Sequence, residues 1–216
     1  MGQMKGKASI EFEHPPVIIS AGSVVGKKEG EGPLGSLFDE VELDDMFGMD
    51  NWEQAESTMQ KKTADLVIEK GGIRKGELRY LFAGDLLGQL IATSFGTVDL
   101  EIPLFGLYGA CSTMGEALGL GAMAVNAGYA DQVMSMASSH FATAEKQFRF
   151  PLAYGNQRPP SATWTVTGCG AVVLAGNRKD GMARIAGITT GRMVDMGAKD
   201  SMNMGAAMAP AAFHTI

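Results

Sequence analysis

The stretch from Phe105 to His140, FGLYGACSTMGEALGLGAMAVNAGYADQVMSMASSH, restricts what this chain can fold into more than any other segment. Gly115, Gly119 and Gly121, with Ala117, Ala122 and Ala124, fall inside a pattern that predicts a helix from Cys111 to Gly128. Each such glycine costs a helix up to roughly 1 kcal/mol relative to alanine. The cost is offset where another backbone approaches closely, so this is the expected sequence of a central helix inside a large α/β core. Gly106, Gly109 and Ala110 leave room for a sharp strand-to-helix turn just before it. Backbone amides at a helix N-terminus are unpaired and carry partial positive charge, which favours the thiolate form of a sulfur placed there. Two roles for Cys111 follow: a reactive or ligand-touching thiol in a cavity, or a small core residue, since free cysteines are among the most buried residues.

The flanking segments fit the same class. Pro16 to Val25, PVIISAGSVV, is a β-branched apolar run that predicts a buried strand. Gly30 to Phe47 carries Asp39, Glu40, Glu42, Asp44 and Asp45 among turn formers, and predicts an exposed loop with a solvated acidic face. Asp50-Asn51-Trp52-Glu53 has the form of a capped helix start. Trp52, Ala55, Met59, Leu66 and Val67 then recur at helical spacing until Gly71-Gly72, with Trp52 expected as a core anchor. Strands are expected near 79–83, 103–107 and 132–137, with a helix over 86–93. This alternation implies a largely parallel sheet covered on both faces. Thr163 to Ala175 and Ala183 to Thr190 follow with only a turn between them, and are expected to form an antiparallel hairpin. From Gly191 the chain is rich in Met, Ala and Gly without a clear stop.

Composition removes several functions. The chain has 216 residues, 45% of them apolar, enough for a buried core. Its formal charge of -6, with no Lys/Arg cluster, argues against nucleic acid as a partner. Cys111 and Cys169 are far apart and lack CxxC spacing, so no zinc site and no disulfide framework is expected. No apolar run approaches the roughly 18 residues needed to span a bilayer, and the first residues lack the apolar core of a secretion signal. No metal or cofactor is expected.

The segment YGACSTMGEALGLGAMAVNAGYADQVMSMASSH resembles the nucleophile region of the thiolase superfamily. An Ala-Cys opens a small-residue helix, and Gly-x-x-Asp then precedes a strand that ends in small polar residues. GCGAVVLAG, Gly168 to Gly176, is similar to the glycine-rich strand that closes the first half of β-ketoacyl synthases, with Cys169 where that family usually has an acid. Within the superfamily, DNWEQAE, the Cys111 segment, YGNQRPPSATWTVTGCGAVVL and the Met-rich tail resemble the stage V sporulation protein AD family over nearly the whole chain. The resemblance implies an α/β fold: one half of a thiolase-like fold, a mixed, mostly parallel five-stranded sheet with helices on both faces. Residues 1–216 would then be a single domain, the N-terminal βαβαβαββ half. The second half, which in the related enzymes supplies the catalytic histidine and the oxyanion-holding group, is not in this sequence.

The resemblance further implies binding of dipicolinic acid (pyridine-2,6-dicarboxylate) and support of its uptake into the developing spore. The partners would be membrane proteins of the same operon, and the location the forespore, peripheral at the inner spore membrane. A site for two carboxylates on a flat ring needs cationic or amide donors converging inside an apolar slot. The candidate ligand-binding residues are Cys111, Ser112, Ser139, His140, Arg149, Asn156 and Arg158, the last three from the cation- and aromatic-rich stretch Glu145 to Trp164. The competing expectation is a β-ketoacyl synthase or thiolase-type acyltransferase with Cys111 as nucleophile. An isolated half would expose an apolar face, so self-association into a homo-oligomer is expected.

Overall fold

The computed structural model describes residues 2–148, 164–176, 178–200 and 203–215. The strands are β1 (Gly2–Lys5), β2 (Ser9–Phe12), β3 (Val17–Gly26), β4 (Glu40–Glu42), β5 (Tyr80–Gly84), β6 (Leu104–Gly106), β7 (Gln132–Ser139), β8 (Gly168–Ala175), β9 (Ala183–Arg184) and β10 (Gly187–Thr189). The helices are α1 (Lys27–Gly30), α2 (Trp52–Gly71), α3 (Ile91–Thr97), α4 (Thr113–Asn126), α5 (Phe141–Phe148) and α6 (Gly205–Thr215). The main sheet runs β4-β3-β8-β7-β5-β6, with β9 also on β3. Strands β3, β5, β6 and β7 point one way and β8 runs against them. The expected mixed, mostly parallel α/β architecture is therefore present, with seven strands in the sheet rather than five because β4 and β9 both join the outer edge of β3.

Side chains alternate between the two faces with the period of a pleated strand. Leu81, Ala83, Met134, Met136, Cys169, Ala171 and Val173 join Ala55, Met59, Ala64 and Val67 of α2 in one core. Phe82, Val133 and Leu174 join Ala117, Ala122 and Val125 of α4 in another. Of the α4 glycines, Gly121 answers to this second face, while Gly115 has open space around it and Gly119 meets only Ile188 at 3.8 Å. A Cβ on Gly121 would lie 2.8 Å from Ser135 Oγ and 3.2 Å from both Val133 and Leu174. The Ser135 hydroxyl donates to the Ala117 carbonyl at 2.9 Å, so a short strand side chain reaches the helix backbone.

α2 begins and ends where its sequence dictates. The Asn51 side chain accepts the Gln54 amide at 2.9 Å, and Gly72 closes the helix at φ 59°. Trp52 is only half-buried, a correction to its expected role, because Ala55 and Met59 already fill the sheet-facing stripe.

The expected hairpin after Thr163 does not form. β8 is flanked on both edges by β3 and β7, so a returning strand has no edge of it to join. The chain instead places β9 on the far edge of β3, and β10 pairs with β2 in a separate sheet of order β1-β2-β10. The acidic stretch is likewise more than a solvated loop. β4 pairs parallel with β3, Lys62 binds Glu42 at 2.7 Å, Lys70 binds Asp39 at 2.5 Å, and Phe47 is buried.

Candidate functional site

The turn that presents Cys111 is built at the carboxyl ends of β5 and β6. The Leu107 amide donates to the Ala83 carbonyl at 2.8 Å, which carries the chain across the end of β5. A Cβ on Gly84 would fall 1.9 Å from the Leu107 carbonyl oxygen, so only glycine allows that crossing. Ala110 then adopts φ 48°, a left-handed conformation that costs a non-glycine residue roughly 1–2 kcal/mol. Gln89 (φ 61°) and Leu90 (φ 53°) are left-handed too. They belong to the neighbouring loop, since a Cβ on Gly106 would meet Leu90 at 2.7 Å. Three of the five non-glycine residues with positive φ among the described residues thus lie in these two loops, Phe47 and Glu101 being the others.

Cys111 is exposed and lies in a 3₁₀ turn, Ala110–Ser112, ahead of α4. This differs from a start of the α-helix at Cys111. The amides of Ser112 and Thr113 are used by the carbonyls of Gly109 and Ala110. The Ser112 and Thr113 hydroxyls donate to the same two carbonyls, at 2.7 and 2.8 Å. The turn is therefore fixed from within by bonds that leave the Cys111 side chain at the surface.

β7 brings Ser138, Ser139 and His140 to the same end of the sheet. The Ser139 hydroxyl donates to the Val166 carbonyl at 2.6 Å. His140 is buried, with Nε2 2.8 Å from the Asp45 carbonyl and Nδ1 accepting the Ala142 amide at 3.2 Å. That pair of bonds fixes the neutral tautomer with its proton on Nε2. Burial also lowers the pKa of the ring, so the imidazole is held neutral with both nitrogens engaged.

Below the strand ends lies a polar network that reading the sequence did not find. Glu56 and Gln60, one turn apart on the buried face of α2, are both fully enclosed. Gln60 Nε2 donates to Thr93 Oγ1 at 3.0 Å and to Ser138 Oγ at 2.7 Å. The Ser138 and Thr143 hydroxyls lie 2.7 and 2.6 Å from the two Glu56 oxygens. Thr93 in turn donates its amide and hydroxyl to Asp85, just past β5. The available signal was two polar residues inside the stripe of Ala55, Met59 and Ala64.

Among the described residues, Cys111 and Ser112 share the exposed turn, while Ser139 and His140 cap β7. Arg149, Asn156 and Arg158 lie outside the described residues. A cavity of about 290 Å³ between α2, α5 and the strained loop is lined by Glu53, Leu87, Gly88, Gln89, Ile91 and Gln147. A larger one, about 550 Å³, lies at the opposite end of the sheet around Arg79, Tyr80 and Gln132. The larger space is thus remote from the strained turn. Cys169 is a core residue beneath α2, and burial pushes its thiol up to about 12. No group of His, Cys, Asp or Glu suited to a metal ion occurs among the described residues.

Comparison with known proteins gives a consistent answer. The family described as stage V sporulation protein AD matches residues 6–216. Stage V sporulation protein AD of Bacillus subtilis (strain 168) is 41% identical over 214 residues, covering 99% of this chain and 63% of that protein. The chain therefore spans less than two thirds of this relative's length. Among solved structures, the priming β-ketosynthase of the R1128 polyketide pathway aligns with TM-score 0.52 at 16% identity, covering 80% of this chain and 53% of the other. The H285N variant of OleA from Xanthomonas campestris aligns with TM-score 0.52 at 14% identity, covering 77% of this chain and 57% of the other. At these identities the structural likeness shows the fold alone, and the fold is thiolase-like.

Proposed function

The chain belongs to the stage V sporulation protein AD family, and from that premise we propose that it is a non-catalytic thiolase-like protein that binds dipicolinic acid and supports its uptake into the developing spore. The observation that carries this reading is that, among the described residues, the histidine at the Cys111 end of the sheet is not free to act as a base. Cys111 is presented on a strained, exposed turn, yet both nitrogens of His140, the histidine at the same end of the sheet, are engaged. Acyl transfer needs a base to take the thiol proton, whereas a binding site needs only shape and donors. Cys111 and Ser112 would form the floor of the site, with Ser139 and His140 at its side. Arg149, Asn156 and Arg158 would supply donors to the two carboxylates.

No helix among the described residues is long and apolar enough to cross a membrane. A peripheral position at the inner spore membrane, with membrane proteins of the same operon as partners, belongs to the same proposal. So does self-association. β6 is an edge strand with Leu104 and Phe105 exposed, and a second copy would cover that edge.

Calorimetric titration of dipicolinate tests the reading, with benzoate as the control. Saturable heat for dipicolinate alone is expected, reduced at least tenfold in affinity by Arg158→Ala and much less by Cys111→Ala. The acyltransferase alternative draws on the exposed sulfur at the position of the superfamily's nucleophile. It requires an acyl adduct on Cys111 after incubation with acetyl-CoA, visible as a mass increase of the intact chain, and none is expected.

A further inference from the structure

The Glu56 network contains a proton that its geometry locates. Thr143 has one hydroxyl proton, but its Oγ1 lies 2.6 Å from Glu56 Oε2 and 3.0 Å from the His140 carbonyl. With Glu56 ionised, both neighbours are acceptors and one contact has no proton to share. With a proton on Glu56 Oε2, the carboxyl donates to Thr143, and Thr143 passes its own proton to the His140 carbonyl. The other oxygen is already served: Ser138 takes a proton from Gln60 Nε2 and donates its own to Glu56 Oε1. The neutral acid gives each contact of Glu56, Ser138 and Thr143 a proton to share, and within the cluster only Gln60 Oε1 is left without a partner among the described residues.

The surroundings agree. The charged and titratable groups on the elements packed around Glu56 are Glu53 on α2, Asp85 beyond β5, His140 at the end of β7, Glu145 and Lys146 on α5, and Cys169 on β8. Lys146 is taken by Glu53 at 2.5 Å. Asp85 is buried and accepts the amides of Leu87 and Thr93. Glu145 is buried and accepts the Thr165 hydroxyl at 2.9 Å. His140 and Cys169 are both held neutral. Burial raises the Glu56 carboxyl to about 7, the bonds from Thr143 and Ser138 oppose this, and the charges of Asp85 and Glu53 add to the rise.

The geometry points to Glu56 as a protonated positioning residue: its neutral carboxyl ties α2 to the end of β7 and the start of α5, and its ionisation opens that lock. The tie reaches the Cys111 end of the sheet because Ser138 and His140 are the residues it holds. Gln60 extends it to Thr93 and so to Asp85, at the root of the strained loop. The neutral acid thus ties the end of β7 to the loop after β5, the strand whose end carries the Cys111 turn.

Difference infrared spectroscopy of the whole chain between about pH 5.5 and 8.5 reads the proton directly. A protonated-carboxyl stretch that persists to near neutral pH, and is missing in Glu56→Gln, is expected. A spectrum in which every carboxyl ionises below about pH 5 overturns the proposal. Should Glu56→Gln not fold, Thr143→Val gives a second reading. It removes the acceptor of the Glu56 proton, so the same band should move to higher frequency, and an unmoved band contradicts the assignment.

The consequence for ligand rests on the dipicolinate reading. Wild-type affinity should fall severalfold from about pH 6 to 8, while that of Glu56→Gln stays level. Equal pH dependence of the two proteins breaks the link between lock and site. A chain that binds no dipicolinate at any pH, but shows the infrared band, refutes the ligand and leaves the proton in place.

Discussion

The two helices that cover the sheet do so by opposite means. α2 meets it through side chains: Met59, Ala64 and Val67 pack on the strands, and Glu56 and Gln60 reach through to the strand ends. α4 meets it through small residues, with Gly121 against the Ser135 side chain and the turn before it threaded over Gly84. The difference explains why one end of the sheet carries both a closed polar cluster and an open strained turn. A helix held by long side chains has room beneath it for a buried network. A helix that presents small residues to the sheet has none, so its functional group sits on the turn that precedes it.

Substitutions that add volume should separate the two regimes most sharply. Gly84→Ala places a methyl carbon on the Leu107 carbonyl, which backbone alone can relieve, so this change should cost about 4 kcal/mol or abolish folding in urea titration. If Gly84→Ala is tolerated within about 1 kcal/mol, the turn is not threaded as described. On the α2 side the large effect comes from removing volume. Met59→Ala, at a fully buried position, should cost about 2–5 kcal/mol by the same measurement.

The next effect is read from pH. The Glu56 carboxyl is raised in the folded chain to about 7 from an ordinary 4.5, mainly by burial, so the folded state holds its proton more tightly than the unfolded. The stability it confers is fully present below the unfolded value and is lost as pH rises to the folded one. The loss amounts to about 3 kcal/mol at most between those limits. Glu56→Gln should remove this dependence, so its advantage over wild type in thermal melts should grow with pH across that window and then level off. An advantage that shrinks with rising pH would mean the acid is ionised in the fold. Asn51→Ala should be smaller, about 1 kcal/mol, because it removes one capping bond at the start of α2 and leaves the core intact.

What was legible in the sequence follows the same division. Periodic apolar residues and end signals located α2 closely, from the Asn51 cap to Gly72, because those signals are local. Of the α4 glycines, Gly121 met the expected close approach, from side chains of the sheet, while Gly115 and Gly119 did not. Pairing partners were not legible. The strand from Gly168 to Ala175 contains nothing to say that both its edges are taken, so the expected hairpin was drawn from proximity in sequence alone. Lys62 and Lys70 likewise give no local sign that they fold onto Glu42 and Asp39. At the candidate site, Cys111 stood out because of its small neighbours. Glu56 did not, because a buried acid is recognisable only when Ser138 and Thr143, distant in sequence, are seen to face it.

The two cysteines turn the comparison into one experiment: one lies on the open turn of α4 and the other in the core beneath α2. Labelling of the native chain with a thiol reagent, followed by intact mass, should give a single adduct on Cys111 with Cys169 untouched. Saturating dipicolinate should slow that labelling severalfold, while benzoate should not. A Cys111 rate indifferent to dipicolinate in a chain that binds it would contradict the placement of the ligand on this turn.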